Sequence, residues 1–597
     1  MIKKEYEKLL TKVQKPARYA GGEYNEVIKN KSGIDVRFAF AFPDMYEIGM
    51  SNLGMKILYG VLNSLDYVWC ERVFAPAEDM AGQLKQNNIG LYALESGDPL
   101  RDFDFIGFTL QYELSYSNVL YMLDLADIPA LSKQRGEEFP LVIGGGPCAY
   151  NPEPLADIFD LFCIGEGEEA VVEIMELYRK HKEAGRGKLS FLTACSKLEG
   201  IYVPFLYAPE KQPVIKKRAL KNLGAAYFPV CPAVPNIETV HDRITLEVAR
   251  GCSRGCRFCQ AGFVYRPARE RPAQKLDQIA LESYKNTGYD EISLSSLSVS
   301  DYTQLGELTD KLVGWTDRSK VNLSLPSMRL DSFSKELLDK TSGVRQTTLT
   351  FAPEAGSQGL RDAINKNLSE QQIEETIKLA FDSGRTNLKL YFMIGLPGET
   401  DGDIIEIANL AKKAVGLYYK RENKQTGRGV TVTISVASFV PKCHTPFCFE
   451  GQNSCDELVR KQKLLKNEIN SKKIKYNYHD AKTSKLEAVF ARGDRKLSEV
   501  LIEAHKLGAR FDSWDEFFDF ELWQKAFDNC GLAMESYSER KYAYDEPLPW
   551  DFIDVGVTKS FFISENKKAA LGTVTPGCRE QCSGCGADSI AGGDFCP

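Results

Sequence analysis

The stretch GCSRGCRFCQ, Gly251 to Gln260, sets Cys252, Cys256 and Cys259 in the spacing C-x3-C-x2-C. Three thiolates this close can hold three irons of a [4Fe–4S] cluster and leave the fourth iron open to a small molecule, which can then receive an electron. A structural zinc site takes four ligands, usually from C-x2-C pairs, and no fourth Cys or His stands near. Immediately upstream, Ile244-Thr-Leu-Glu-Val248 is an apolar run that reads as a strand, so the cysteines follow a strand end.

Outward from this point, a series of strand runs alternates with helical segments: EISLSSL from Glu291, NLSLPS from Asn322, TTLTFAPEA from Thr347, NLKLYFMIG from Asn387 and VTVTISVASF from Val430. Six βα units over residues 239–470 predict a partial barrel, shorter than the eightfold one. A second α/β region precedes it, over 35–185. Val36–Ala41, Phe105–Leu110, Leu141–Ile143 and Phe159–Ile164 are apolar runs that end in Gly-rich turns, which predicts a Rossmann-like, doubly wound parallel sheet. Such sheets bind ligands at the carboxyl ends of their strands. Residues 1–34 read as a helical extension and 186–238 as a proline-broken connector with a short hairpin. Residues 471–597 read as a mixed, mainly helical region, with helices over Leu497–Leu507 and Trp514–Phe527 and a Cys-rich metal-binding tail.

The tail repeats the opening spacing: Cys578-x3-Cys582-x2-Cys585, with Cys596 further on. Four thiolates would close either an auxiliary [4Fe–4S] cluster or a zinc site.

Phe258, one residue before the last cysteine of the first group, completes C-x3-C-x-Φ-C after a strand. This resembles the radical S-adenosylmethionine (radical SAM) superfamily. The resemblance implies that the open iron binds S-adenosylmethionine and that reductive cleavage yields a radical able to attack an unactivated carbon. Phe258, Ser295, Ser296, Glu354 in APEAGS, Lys366 in INK and Gly395 in MIGLPGET would then contact S-adenosylmethionine. FVPKCHTPF, from Phe439, resembles a stretch found in radical SAM proteins with an N-terminal cobalamin-type domain, and it makes Cys443 and Cys448 catalytic candidates. PDMYEIGMSNLG is similar to the D-x-H-x-x-G stretch of cobalamin domains, with Tyr46 in place of the histidine that ligates cobalt. Asp44, Tyr46, Gly49, Thr109, Gly144 and Gly145 are the expected cobalamin contacts, with the lower cobalt face uncoordinated. The whole chain resembles an uncharacterised group of B12-binding-type radical SAM proteins.

Two reaction classes follow. One is a cobalamin-dependent methyl transfer or related carbon modification. The other is a cobalamin-independent modification of RNA or protein, such as sulfur insertion, that uses the tail as an auxiliary cluster. Methylthiotransferases place three cluster cysteines in the N-terminal domain, and here Cys70, Cys148 and Cys163 show no such spacing. The resemblance also implies an external electron donor of flavodoxin or ferredoxin type.

The bulk numbers agree with an ordinary globular enzyme. The 597 residues exceed one core, and 43% hydrophobic with 26% charged residues excludes a largely disordered chain. A net charge of −7 does not indicate a nucleic-acid surface, though a local groove stays open. The basic runs Lys216–Arg218 and Lys461–Lys475 read as solvated faces. No run long enough to cross a membrane and no signal peptide is read, so a cytoplasmic location is expected. The substrate is not legible.

Overall fold

In the computed structural model, which describes residues 4–208, 211–324, 349–421 and 429–590, two parallel βα systems follow one another and a mainly helical region completes the chain. The first system contains strands β1 (Val36–Phe42), β2 (Val68–Phe74), β3 (Phe105–Thr109), β4 (Leu141–Gly145), β5 (Leu161–Cys163) and β6 (Ile201–Tyr202). Their order is β2-β1-β3-β4-β5-β6, and only β6 runs antiparallel. The chain reverses its winding between β1 and β3, the switch point where doubly wound sheets place ligands.

Side chains on alternate positions enter two cores. Ala39, Ala41, Ile106 and Phe108 pack on one face, and Phe38, Phe40, Phe105 and Ile143 on the other. Burial on both faces explains the near-continuous apolar strands. Strand β2 is the exception that hides in the sequence, because Glu71 and Arg72 interrupt it. Glu71 is fully buried and pairs with Arg37. Arg72 pairs with Glu95 at 2.6 Å and Glu23 at 3.0 Å. Partners 23 and 49 residues away neutralise charges that otherwise read as a loop.

Among the described residues, the second system has seven parallel strands in two sheets. β7 (Ile244–Glu247), β8 (Glu291–Ser295) and β9 (Asn322–Ser324) form one, in the order β9-β8-β7. β10 (Leu349–Glu354), β11 (Asn387–Ile394), β12 (Thr431–Ser438) and β13 (Ile474–Tyr478) form the other, in chain order. The strand residues expected at 325–327 and 347–348 lie outside the described residues. β13 extends the series past the expected boundary at residue 470. It reads as a basic run because it is an edge strand in which Ile474 alone is buried, and lysines protect such edges. The runs read as solvated are also partly interior. Lys461 is buried against Glu399 at 2.8 Å, and Lys217 is buried against the backbone carbonyls of Val264 and Arg266.

The expected connector hairpin is absent among the described residues. Ile201–Tyr202 joins the first sheet, and Ile215–Lys216 pairs in parallel with Ile553–Asp554 of the C-terminal region. The helix Leu497–Leu507 forms as read. The aromatic segment after it is helical only over Phe520–Asn529, where the Asp519 carboxylate caps the first turn.

Arg257, inside the cysteine loop, fastens these parts together. Its side chain is fully buried and donates to Glu565 Oε2 at 3.0 and 3.1 Å, to the carbonyl of Thr573 at 2.7 Å and to that of Ala363 at 2.8 Å. Glu565 also accepts from Lys568 and Thr575. Burial alone would push the Glu565 carboxyl up, but Lys568, Thr575 and Arg257 hold it below its ordinary value. Removing one partner of a buried pair strands the other charge. Glu565→Ala should therefore lower the unfolding free energy by about 3 kcal/mol, read by urea titration, and Glu565→Gln should lower it less. An unchanged midpoint for Glu565→Ala would refute the role given to this pair.

Candidate active site

The cysteine loop begins at Gly251, four residues past the last residue of β7, and lies on the rest of the barrel. The amide of Arg254 points at Cys252 Sγ, 3.4 Å away. The turn after Cys259 closes with Gly262 N–H donating to the Cys259 carbonyl at 3.1 Å. Burial, with Cys256 and Cys252 adding to it, pushes the Cys259 thiol up to about 12, so a proton stays on sulfur until a metal replaces it. Phe258 packs into a small apolar cluster with Leu360, Ile364, Leu396, Phe439 and Phe447. The donor set suits an iron–sulfur cluster. Thiolates on a cubane each bind a different iron, so they stay further apart than around one ion. Among the described residues, no three or more His, Cys, Asp or Glu converge tightly enough for a single metal ion.

A cavity of about 480 Å³ opens where the carboxyl ends of β3 and β4 meet those of β7 and β8. Its apolar wall includes Phe38, Phe40, Ile57, Leu58, Ile143 and Val171. A ledge of glycines, Gly107, Gly144, Gly145, Gly146, Gly165 and Gly167, runs along one side. Thr109 lines it, fixed by Gln111 Nε2 donating to its hydroxyl at 2.6 Å. From the barrel come Glu247, Arg250, Gly251, Ser295 and Ser296. Ion pairs stitch the two sides together. Arg250 reaches Glu168 at 2.9 Å and Glu247 at 3.0 Å, Arg269 reaches Glu166 at 2.6 Å, and Arg271 reaches Glu247 at 3.2 Å. Burial would raise the Glu166 carboxyl, but Arg269 and Arg250 hold it below its ordinary value, so it remains ionised. Apart from Arg250–Glu247, only three residues apart, these pairs span 24 to 103 residues, and nothing in the spacing of GEGEEA or RPARERP announces them.

The two neighbouring glycines differ. A side chain on Gly144 would strike the Phe162 ring at 2.8 Å and Phe159 at 3.0 Å, on the core side. On Gly145 it would meet only the Cys163 carbonyl, at 3.7 Å, and Cys163 Cβ. Gly144 is thus required by packing, and Gly145 faces open space. Asp44, Tyr46 and Gly49 do not line the cavity. Asp44 accepts from Tyr112, and from Trp514 Nε1 at 3.0 Å, so it anchors the C-terminal region. Tyr46 donates to Glu23 at 2.9 Å and packs on Phe74, and Gly49 lies against the Phe74 ring.

At the barrel rim, Lys366 Nζ pairs with Glu354 Oε1 at 3.1 Å. Glu354 takes φ +70 after a β-bulge, a conformation that costs a non-glycine residue about 1–3 kcal/mol and is concentrated at functional sites. Gly395 also has a positive φ, and a side chain there would strike Leu458 at 2.9 Å, so helix packing as well as the turn demands glycine. Cys443 and Cys448 are buried, and burial raises both thiols, Cys448 to about 12. Gln260 Nε2 donates to Cys443 Sγ at 2.9 Å, so Cys443 stands one residue's reach from Cys259. Its neighbour Lys442 bridges Glu113 at 2.6 Å and Glu487 at 2.7 Å.

In the tail, Cys578 is half-buried, Cys582 exposed and Cys585 buried. Cys596 lies outside the described residues.

Comparison with known proteins gives a consistent set. Residues 54–204 match the family described as "Radical SAM proteins, N-terminal", and residues 246–411 match the "Radical SAM superfamily". An uncharacterised protein of Methanocaldococcus jannaschii, MJ0966, is 31% identical over 465 residues, 78% of this chain and 90% of that protein. The ribosomal protein uS12 methylthiotransferase RimO of Trichlorobacter lovleyi is 27% identical over 190 residues, 30% of this chain and 42% of that protein. Among solved structures, the radical S-adenosylmethionine methyltransferase TsrM of Kitasatospora setae aligns with a TM-score of 0.45 at 14% identity, covering 67% of this chain and 72% of that one.

The glycine ledge yields a direct test. Gly144→Ala should cost about 1–3 kcal/mol of stability through overpacking, whereas Gly145→Ala should stay within about 0.5 kcal/mol of the unmodified protein. Equal midpoints for the two variants in denaturant titration would contradict this placement.

Proposed function

The chain belongs to the radical SAM superfamily, and on that premise we propose that it holds a cobalamin in the cavity between its two parallel sheets and transfers a one-carbon group to an unactivated carbon of its substrate. The observation that carries this reading is the shared cavity. Its glycine ledge comes from the N-terminal sheet, and its opposite wall from the residues that flank the cysteine loop. When bound, a [4Fe–4S] cluster at Cys252, Cys256 and Cys259 supplies the electron that cleaves S-adenosylmethionine, and cobalamin supplies a carrier for the one-carbon group.

The remaining work falls to side chains. The apolar wall of Phe38, Phe40 and Ile143 suits a flat macrocycle and excludes water. Gly145 leaves room for a tail to pass beside the sheet. No histidine lines the cavity, and Tyr46 is committed to Glu23, so no cobalt ligand comes from that segment. Lys366 holds the Glu354 carboxylate at the rim, where it can accept hydrogen bonds from a ribose or an ammonium group. Ser295 and Ser296 supply hydroxyls on the cavity side.

The methylthiotransferase matches favour a second reading, sulfur insertion. That chemistry would need a further cluster, which methylthiotransferases place in the N-terminal domain and for which the tail cysteines are the candidates here. Cys70 lies in β2 and Cys163 in β5, four strand spacings apart, roughly 19 Å at about 4.8 Å each. One cluster cannot use both, so the sheet weighs against a cluster in the N-terminal domain and leaves the tail as the site the second reading requires.

Replacing any one of Cys252, Cys256 or Cys259 by Ala should abolish the formation of 5′-deoxyadenosine under anaerobic reducing conditions. Retained cleavage in all three variants would end the assignment of that loop. Protein reconstituted with cobalamin should take up about one corrin per chain, read by absorbance. Tyr46→Phe should retain it and Gly145→Leu should lose it. No uptake by the unmodified protein would remove the cobalamin reading and leave the sulfur-insertion one.

A further inference from the structure

We propose that Cys578, Cys582 and Cys585 hold a second [4Fe–4S] cluster seated directly on the first cysteine loop, and that it feeds single electrons to the first. This rests on the reading of Cys252, Cys256 and Cys259 as the site of reductive cleavage.

The two loops share one spacing, C-x3-C-x2-C, and they touch. The amide of Cys578 donates to the carbonyl of Ser253 at 2.7 Å. Asn365 bridges them, donating to the Gly255 carbonyl at 3.0 Å and accepting from the Thr575 amide at 2.8 Å. Asn367 donates to the Thr575 carbonyl at 3.0 Å. Arg579 pairs with Glu270, and Arg254 approaches Glu580 at 3.8 Å. The carbonyl of Cys585 accepts from Thr558 N–H at 3.0 Å, which pins the other end of the triplet. A purely structural knuckle could sit anywhere on the surface. This one is fixed to the backbone between Cys252 and Cys256.

The second observation is Arg266. Its side chain is 3% exposed. Nε donates to the Gly262 carbonyl and Nη2 to the Arg254 carbonyl, both at 3.0 Å, so the guanidinium is tied to the first loop on both sides. Nη1 is buried with no partner. An unmet buried guanidinium N–H is costly, and such groups are rarely left so. Arg266 thus holds the carbonyl of Arg254, the residue next to Ser253, on which Cys578 is seated. A cluster on Cys578, with its anionic sulfurs, would satisfy the orphan donor, and a fixed positive charge there favours the reduced form of that cluster.

The electron balance is simple. With both clusters bound, an external one-electron carrier of flavodoxin or ferredoxin type would give up one electron to the site held by Cys578, Cys582 and Cys585, and that site would pass the same single electron to the one held by Cys252, Cys256 and Cys259. No proton moves. The path between them is the Cys578 N–H···O=C Ser253 hydrogen bond and the covalent link from Ser253 to Cys252.

The test uses the full chain, reconstituted anaerobically with iron and sulfide. Unmodified protein should carry about eight irons, and Cys582→Ser about four. Cys582 is exposed, so its replacement leaves the fold intact. The remaining cluster in Cys582→Ser should keep an electron paramagnetic resonance signal that shifts on addition of S-adenosylmethionine. Its reduction by flavodoxin hydroquinone should slow by about tenfold, equivalent to a barrier about 1.4 kcal/mol higher. Arg266→Gln should move the midpoint potential of the tail cluster to a more negative value. About four irons and one zinc in the unmodified protein would overturn the proposal, as would eight irons with an unchanged reduction rate in Cys582→Ser. A signal in the unmodified protein that ignores S-adenosylmethionine would instead refute the reading of the first loop, while the iron count still decides this one.

Discussion

A single guanidinium, that of Arg257, sets the arrangement on which the rest of the structure depends. It stands between two cysteines of the loop, and an aromatic residue follows it. Its fan of donors reaches a helix end at Ala363, a buried carboxylate at Glu565 and the chain leading into the tail at Thr573. A lysine could not satisfy these directions at once, because an ammonium group lacks the planar fork. The consequence is that a loop built to hold metal is also the hub where the barrel, the C-terminal helix and the tail converge. Its shape is therefore held by packing as well as by any metal it binds.

The cavity is governed by a related logic. Strand ends of two separate parallel sheets, each of which would bind a ligand alone, border one space. Across this border runs a chain of ion pairs, Glu166, Arg250, Glu247 and Arg271, beside an apolar core that Phe263 and Val264 share with the first sheet. Buried pairs of this kind confer register more than net stability. Here the register fixes which residues of the first sheet face the cysteine loop.

The sequence made some of this legible and hid the rest for identifiable reasons. Apolar strands closed by glycines were readable, because burial on both faces leaves a continuous run, as in Phe105–Thr109 and Leu141–Gly145. Strand Val68–Phe74 was not, since Glu71 and Arg72 are neutralised by partners that adjacency cannot reveal. Ile474–Tyr478 was masked by its lysines. At the candidate site, the cysteine spacing and the Glu354–Lys366 pair were legible as motifs. Gly144 and Gly145, identical in the sequence, diverge only when Phe162 is seen beneath one of them. Asp44 and Tyr46 show the limit of motif reading: a familiar pattern survives while its side chains turn to Trp514 and Glu23.

The seating of the tail carries a consequence for biogenesis. A chain emerges from the ribosome N-terminus first, so the segment from Thr573 onward is the last of the described residues to be made. Until then the cysteine loop lacks that cover, and Arg257 lacks the Thr573 carbonyl. The barrel loop is thus most open to iron and sulfide during synthesis, and less so once the tail docks on Ser253. The hydrogen bonds of Asn365 to both segments act as the latch on that cover, and they give maturation a direction that the finished fold no longer displays.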